Sequence, residues 1–141
     1  MSKFVTYLGT VYPWQCDHVG HMNVMWYVGK FDEATWNFFH QLGLTPTYLR
    51  RENRGMAAVQ QTIQYRKELV AGDLIRIESH LLEMREKVIR FAHTMVNVED
   101  ATPAALCELT GVHMDTAIRK STPFPPSVRK RAAALIAGSA T

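Results

Sequence analysis

Apolar and polar positions follow two different periods along this chain. Over residues 3–11 they alternate one by one, as in a half-buried strand. Pro13 breaks that pattern and opens an irregular loop that runs to His21. The spacing then becomes helical. Between a good N-cap, Asn23, and Gly43, placed where a helix C′ residue belongs, VMWYVGKFDEATWNFFHQL predicts one helix of about 19 residues, roughly 28 Å long. Val24, Val28, Phe31, Thr35, Phe38 and Leu42 form one stripe, flanked by Met25, Trp36 and Phe39. Lys30, Glu33, Asn37 and Gln41 leave only a narrow polar edge, so the helix is expected to be wrapped by protein on most sides, with Trp36 in the core.

Beyond a loop with basic residues and Gly55, period two returns. Val59, Ile63 and Tyr65 alternate with Gln60, Thr62 and Gln64. ELVAGDL reads as a turn, followed by a strand carrying Ile75, Ile77 and Leu81. MREK is a second turn before residues 88–98, and NVEDATPA a third before residues 104–115. Short links between successive strands indicate an antiparallel meander. Pro123, Pro125 and Pro126 close the sheet, and residues 127–137 have the pattern of a terminal helix. The order is strand, long helix, then about four strands. That predicts a two-layer α+β domain, one over residues 1–141, in which a sheet of about five strands curls around the helix.

Composition narrows the class. The 141 residues, 47% hydrophobic and 21% charged, describe an ordinary globular chain with a real core. No apolar run nears the ~20 residues that cross a bilayer, and MSKFVTYLGTVYPW lacks the layout of a signal peptide, so no membrane partner is expected. Cys16 and Cys107 make no disulfide framework, which favours a reducing, cytoplasmic setting. The net charge of +3 gathers partly in Arg50-Arg51, Arg119-Lys120 and Arg129-Lys130-Arg131. Without a reader motif or a dense basic stripe, no nucleic-acid partner is expected. A few cations for an anionic ligand, or simple solvated charge, account for these groups equally well.

The densest chemistry lies in WQCDHVGHMNVMWYVGKFDEATW, residues 14–36. Cys16, His18 and His21 are metal-ligand types, but they crowd within six residues and no distant pair completes a four-ligand set, so no metal is expected. Helix capping accounts for Asn23 and allows Asp17 nearby as a favourable anion. Asp17 lies six residues before that cap, where a loop carboxylate is commonly just a turn former.

The stretch CDHVGHMNVMWYVGKFDEA resembles the signature of hot-dog-fold acyl-CoA thioesterases, in the branch containing 4-hydroxybenzoyl-CoA thioesterase. Their pattern is D-x-D-x-x-G-H-V-N-N-x-x-Y, followed by an F-E-x-A-like segment. Asp17 matches its second aspartate, and Gly20, His21, Asn23 and Tyr27 follow in register; QYRKELVAGD and TPFPP extend the likeness over nearly the whole chain. Gln15 stands where the first aspartate is usual, and Val24 replaces the second asparagine. The resemblance implies a hot-dog fold, an acyl-CoA substrate, coenzyme A as part of that substrate rather than a cofactor, and Asp17 as the catalytic carboxylate. It also implies edge-to-edge pairing into a homodimer or homotetramer with the active site between subunits.

That chemistry is simple. Coenzyme A departs as a thiolate whose conjugate acid has a pKa of about 8.5, so little protonation of the leaving group is needed. A carboxylate at the carbonyl carbon, as nucleophile or as general base, and donors for the developing oxyanion suffice. The helix opening at Asn23 and Val24 offers free backbone N–H groups. His21 matches the motif and is expected to shape the loop or position the thioester, while His18 is expected to be exposed. His93 and His113, on predicted strands, are expected to be satisfied core histidines.

Trp14, His18, Trp26 and Tyr27 are the candidates for lining the substrate. An aromatic acyl pocket suits an aromatic acyl group or, through cation–π contact, a quaternary ammonium. The same stretch is similar to thioesterases of carnitine breakdown, which implies betainyl-CoA. By position in the family pattern, Arg85, Lys87 and Arg119 are candidates for the coenzyme A phosphates. Two other classes stay open: a hot-dog dehydratase, which needs a catalytic histidine, and a non-catalytic acyl-CoA or acyl-carrier binding module.

Overall fold

The computed structural model describes residues 2–138. The chain runs β1 (Lys3–Thr10), a 3₁₀ turn (Pro13–Gln15), α1 (Val24–Leu42), α2 (Pro46–Arg51), β2 (Arg54–Tyr65), β3 (Leu74–Met84), β4 (Val88–Asn97), β5 (Pro103–Asp115), β6 (Lys120–Ser121) and α3 (Pro126–Gly138). One antiparallel sheet in the order β1-β3-β4-β5-β2, with the two-residue β6 beside β5, curls around α1. This is the α+β architecture expected from the pattern and the hot-dog fold that the resemblance implied, with a sixth short strand.

The ends of α1 follow from two residues. Asn23 Oδ1 accepts the Met25 N–H at 3.0 Å, and Gly43 adopts φ 88°, where a residue without a Cβ pays no steric penalty. Between them Phe31, Phe38 and Leu42 are fully buried. Phe38 stacks on Phe91 of β4 at 5.0 Å between ring centroids and on Phe4 of β1 at 5.5 Å. Truncating such a ring typically costs about 3–5 kcal/mol.

Two expectations need correction. The meander holds only for β3, β4 and β5. β2 pairs with β5 at the far edge, from Arg54↔Asp115 to Tyr65↔Ala105, and β1 takes the place beside β3. The segment read as a hairpin turn is a cross-connection. Arg66 and Lys67 N–H both donate to Ala104 O, fully buried Leu69 offers its carbonyl to Met22 N–H, and Val11 and Asp73 join the link to the end of β1. Alternation fixes which face a residue occupies and leaves open which strand lies next to it.

The second correction concerns α1. Met25 is 66% and Trp36 41% exposed, and Val24 and Val28 are exposed as well, so one flank of the helix is bare rather than wrapped. Lys30, assigned to the polar edge, is instead buried; its Nζ donates to Tyr7 Oη at 3.2 Å. The loop after Gly43 also contains α2, started by Thr45 as N-cap and Pro46 at N1.

His93 and His113 are the satisfied core histidines that the strand positions suggested. Thr35 Oγ1 donates to Phe31 O, so His93 Nε2 carries a proton toward Thr35 and Nδ1 accepts from Ser79, which in turn receives the Thr6 hydroxyl. This buried chain of donors ties β1, β3, β4 and α1 together.

Candidate active site

Asp17 sits in a small antiparallel loop closed by a bridge between Cys16 and Met22. Gly20 N–H donates to Asp17 O at 3.0 Å and Asp17 N–H to His21 O at 3.1 Å, while Gly20 takes φ 97°. The Asp-x-x-Gly spacing is thus the spacing of one turn, with glycine where the chain turns left-handed. Gln15, the departure from the family pattern, has a structural duty. It is buried, its Oε1 accepts the Tyr12 N–H, and its carbonyl accepts the Asn23 N–H at 2.8 Å.

The carboxylate is held from two sides. Asn23 Nδ2 donates to Asp17 Oδ2 at 3.1 Å and Val19 N–H to Oδ1 at 3.0 Å. These donors, the Asn23 amide foremost, hold the carboxyl below its ordinary range, so it is ionised at neutral pH. Asn23 thereby links the carboxylate to the first turn of α1. There the Val24 N–H has no carbonyl of its own helix to meet, and the positive end of the helix dipole favours negative charge.

Asp17, His21, Val24 and Tyr27 line one open groove of about 450 Å³, shared with Tyr65, Arg66, Lys67 and Glu68 from the end of β2 and the cross-connection. His21 Nε2 lies 3.0 Å from Glu68 Oε2, which orients the imidazole at the rim. Tyr27 is buried, with its ring edge-on to Tyr65 at 5.1 Å. His18 is exposed and Trp26 half-buried against the core. Trp14 is exposed and stacks on Tyr12 at 4.5 Å, outside the groove.

The three cationic candidates lie elsewhere in the chain. Arg85 borders a surface hollow between the β3–β4 turn and α3, and its guanidinium pairs with Glu83. Lys87 is at the same turn, and its carbonyl accepts the His113 N–H. Arg119 lines a hollow with Gly55 and Met56, where β2 starts. All three therefore occupy the end of the sheet opposite Asp17. Sequence reasoning missed Arg66 and Lys67, which flank Asp17 within the chain; their place just before the ELVAGD link was the available signal. Lys67 is engaged by Asp100 at 2.8 Å and Arg66 by Gln64 at 2.8 Å. It also missed Asp32, the one ionisable side chain on a second cleft between α1 and β2. Among the described residues no group of three or more His, Cys, Asp or Glu side chains could hold a metal ion, and no helix is long and apolar enough to cross a membrane.

A sheet curled around one long helix defines a hot-dog fold, and a hydrogen-bonded carboxylate stands at that helix's start beside an open groove. The Thioesterase-like superfamily matches residues 11–132, and the chain belongs to that family, a class of thioester hydrolases. Over 114 residues, 81% of this chain, it is 28% identical to an L-carnitine dehydrogenase/betainyl-CoA thioesterase of Agrobacterium fabrum, and it spans 23% of that protein's length. Its fold is similar to a Staphylococcus aureus protein solved in complex with CoA, with a TM-score of 0.87, 23% identity and coverage of 94% and 84% of the two chains. It is similar also to a 1,4-dihydroxy-2-naphthoyl-CoA thioesterase from Synechocystis, with a TM-score of 0.83, 16% identity and coverage of 96% and 98%.

Proposed function

We propose that this chain hydrolyses an acyl-CoA thioester to the free acid and coenzyme A, with Asp17 as the working carboxylate. The observation that carries this reading is the pair of hydrogen bonds through Asn23, which hold an ionised Asp17 against the open start of α1. As a nucleophile, Asp17 attacks the carbonyl carbon and expels the thiolate, and water then cleaves the mixed anhydride and restores the carboxylate. As a general base, Asp17 takes a proton from the attacking water and the departing thiolate receives it. In both routes the Val24 N–H is the donor offered to the oxyanion.

Betainyl-CoA is the proposed substrate, supported by the name of the Agrobacterium relative and by the rings that border open space beside α1, Tyr27 and Tyr65 on the groove and Trp36 on the neighbouring cleft. An aromatic, 4-hydroxybenzoyl-like thioester is the second reading, favoured by the same rings. The proposed assembly is a homodimer, or a dimer of dimers, joined along β2. That 12-residue strand is one of the two edges of the sheet, none of its residues is fully buried, and the bare flank of α1 lies beside it. Antiparallel pairing about the middle of β2 would set the Tyr65 end of one copy against the Gly55 end of the other. Asp17 of one copy would then face Arg119, and beyond it Lys87 and Arg85, of its partner, the cations proposed for the coenzyme A phosphates.

The test is release of free thiol from betainyl-CoA, 4-hydroxybenzoyl-CoA and short straight-chain thioesters by the wild type and by Asp17→Asn. Turnover of one thioester that falls by orders of magnitude in the variant is the expected result. Turnover indifferent to the variant would take the catalytic role away from Asp17, and no turnover on any thioester would favour the binding-module reading.

A further inference from the structure

A cleft of about 420 Å³ opens between the exposed flank of α1 and strands β2 and β5. Its helical wall is one stripe: Met25, Gly29, Asp32 and Trp36, at intervals of three to four residues, share a face. Phe39 and Phe91 floor it, with Trp36 edge-on to Phe39 at 5.6 Å and Phe39 edge-on to Phe91 at 5.3 Å. Met56 closes the far side.

Two features of this wall are not explained by packing. A Cβ added at Gly29 would meet nothing within 4 Å, so the missing side chain serves space in the cleft rather than a tight contact. Among the described residues Asp32 is the sole ionisable group on the lining, and no side-chain hydrogen bond or ion pair joins its carboxylate to another of them. The Asp32 carboxylate is exposed to water and stands one helical turn from an indole, on a hollow whose other lining side chains are apolar or uncharged. Ring faces carry negative quadrupole and do not welcome an anion. Both features fit a cation that sits against the rings with the carboxylate as counter-ion.

We propose that Asp32 and Trp36 select a thioester whose acyl group ends in a quaternary ammonium, with the trimethylammonium head against the Trp36 indole and its charge facing Asp32. The head has no N–H to donate, so recognition needs a ring face and a nearby charge rather than hydrogen-bond acceptors, which is what this wall supplies. The inference rests on the thioesterase reading and on the proposed β2 pairing, which would bring the Asp17 loop of one copy over the cleft of the other. It adds to that reading the residues that decide the acyl charge.

The decisive comparison is betainyl-CoA against 3,3-dimethylbutyryl-CoA, which has the same shape with carbon in place of the charged nitrogen. The ratio of kcat/KM for the two thioesters, divided by the ratio of their uncatalysed hydrolysis rates because the ammonium by itself activates the betainyl carbonyl, is measured for wild type, Asp32→Asn, Asp32→Glu and Trp36→Leu. The wild type is expected to favour the cation by at least about tenfold. Asp32→Asn and Trp36→Leu should each erase most of that preference, and Asp32→Glu should keep it. A wild-type preference that survives both Asp32→Asn and Trp36→Leu overturns the assignment, and so does a wild type with no preference; in either case the thioesterase reading stands. If no thioester is turned over, that reading fails by itself. Equilibrium binding of the two intact thioesters to wild type and Asp32→Asn then judges the cleft: loss of a charge preference in the variant supports the assignment, and equal binding of both thioesters by the wild type overturns it.

Discussion

Asn23 joins Asp17 to the helix it caps: its Nδ2 donates to the Asp17 carboxylate at 3.1 Å while its Oδ1 accepts the Met25 N–H at 3.0 Å. One side chain thus fixes the carboxylate's position, its ionisation and the start of α1. Asn23→Ala weakens all three and leaves the Val19 N–H as the remaining donor to Asp17. Asp17 ionises more readily than a free aspartate because of the Asn23 amide, so its deprotonated form persists to lower pH. The acid limb of kcat/KM should therefore move to higher pH in Asn23→Ala, and lost capping should cost about 1 kcal/mol in denaturant unfolding. Asn23→Asp separates these effects. It keeps a capping oxygen but sets a second carboxylate against Asp17, so the limb should move further up while stability stays close to wild type.

Burial pushes the His93 imidazole down from 6.5 to about 3, and burial also lowers His113 and His80. The unfolded chain then binds more protons than the folded one between those two values. Stability should accordingly fall as pH drops from 6.5 toward 3, by at most about 1.4 kcal/mol per pH unit for His93 alone. His93→Gln can keep part of the chain through Ser79 and Thr35 without titrating. Chemical unfolding from pH 7 to pH 4 should show a lower starting stability and a shallower decline than in the wild type. An unchanged slope would mean that His93 is not held neutral by its surroundings.

How much of this was legible in the residues depended on whether the determining forces are local. The span of α1, its two caps, the strand-like runs and the turn at Asp17 all rest on contacts within a few positions, and alternation or spacing records them. The neighbour of β2 does not. Its ladder with β5 is set by the path of residues 66–73 and by Leu69 beneath the helix start, and alternation is the same whichever strand lies alongside. Lys30 and Trp36 were misplaced for a related reason. A lysine is buried when one phenol, Tyr7, accepts from it, and a tryptophan is left bare where the chain alone does not cover the helix. Asp17 was found by motif, and Asp32 needed the cleft to be seen before its isolation had meaning.

Gly29 offers a separable test of the second cleft. Glycine inside a helix is less favourable than alanine by about 1 kcal/mol, and the added methyl group would meet nothing within 4 Å. Gly29→Ala should therefore raise the midpoint of thermal unfolding. The same methyl group narrows the space between Met25 and Asp32, so KM for a branched acyl thioester should rise more than for acetyl-CoA. A stabilised variant with no change in acyl preference would detach the cleft from acyl binding.

Within one chain Asp17 and Arg119 lie at opposite ends of the sheet, the first in the groove at the end of β2 and the second in the hollow where β2 starts. If two copies pair antiparallel along β2, each site takes its carboxylate from one chain and its phosphate-binding cation from the other. Asp17→Asn and Arg119→Ala would then each impair the homodimer, the first in kcat and the second in KM for the thioester. Mixed under conditions that exchange subunits, the two variants give heterodimers in which one site has both changes and the other has neither. With random exchange half of the dimers are mixed, so about a quarter of all sites become intact, and activity should recover to about that fraction of wild type. Recovery should require exchange and should vanish when Val59→Glu, at the exposed middle of β2, sets like charges against each other and weakens the pairing. Failure to recover in mixtures shown by mass to contain heterodimers would place Asp17 and its phosphate cations in the same chain, with Arg66 and Lys67 as the groups at hand.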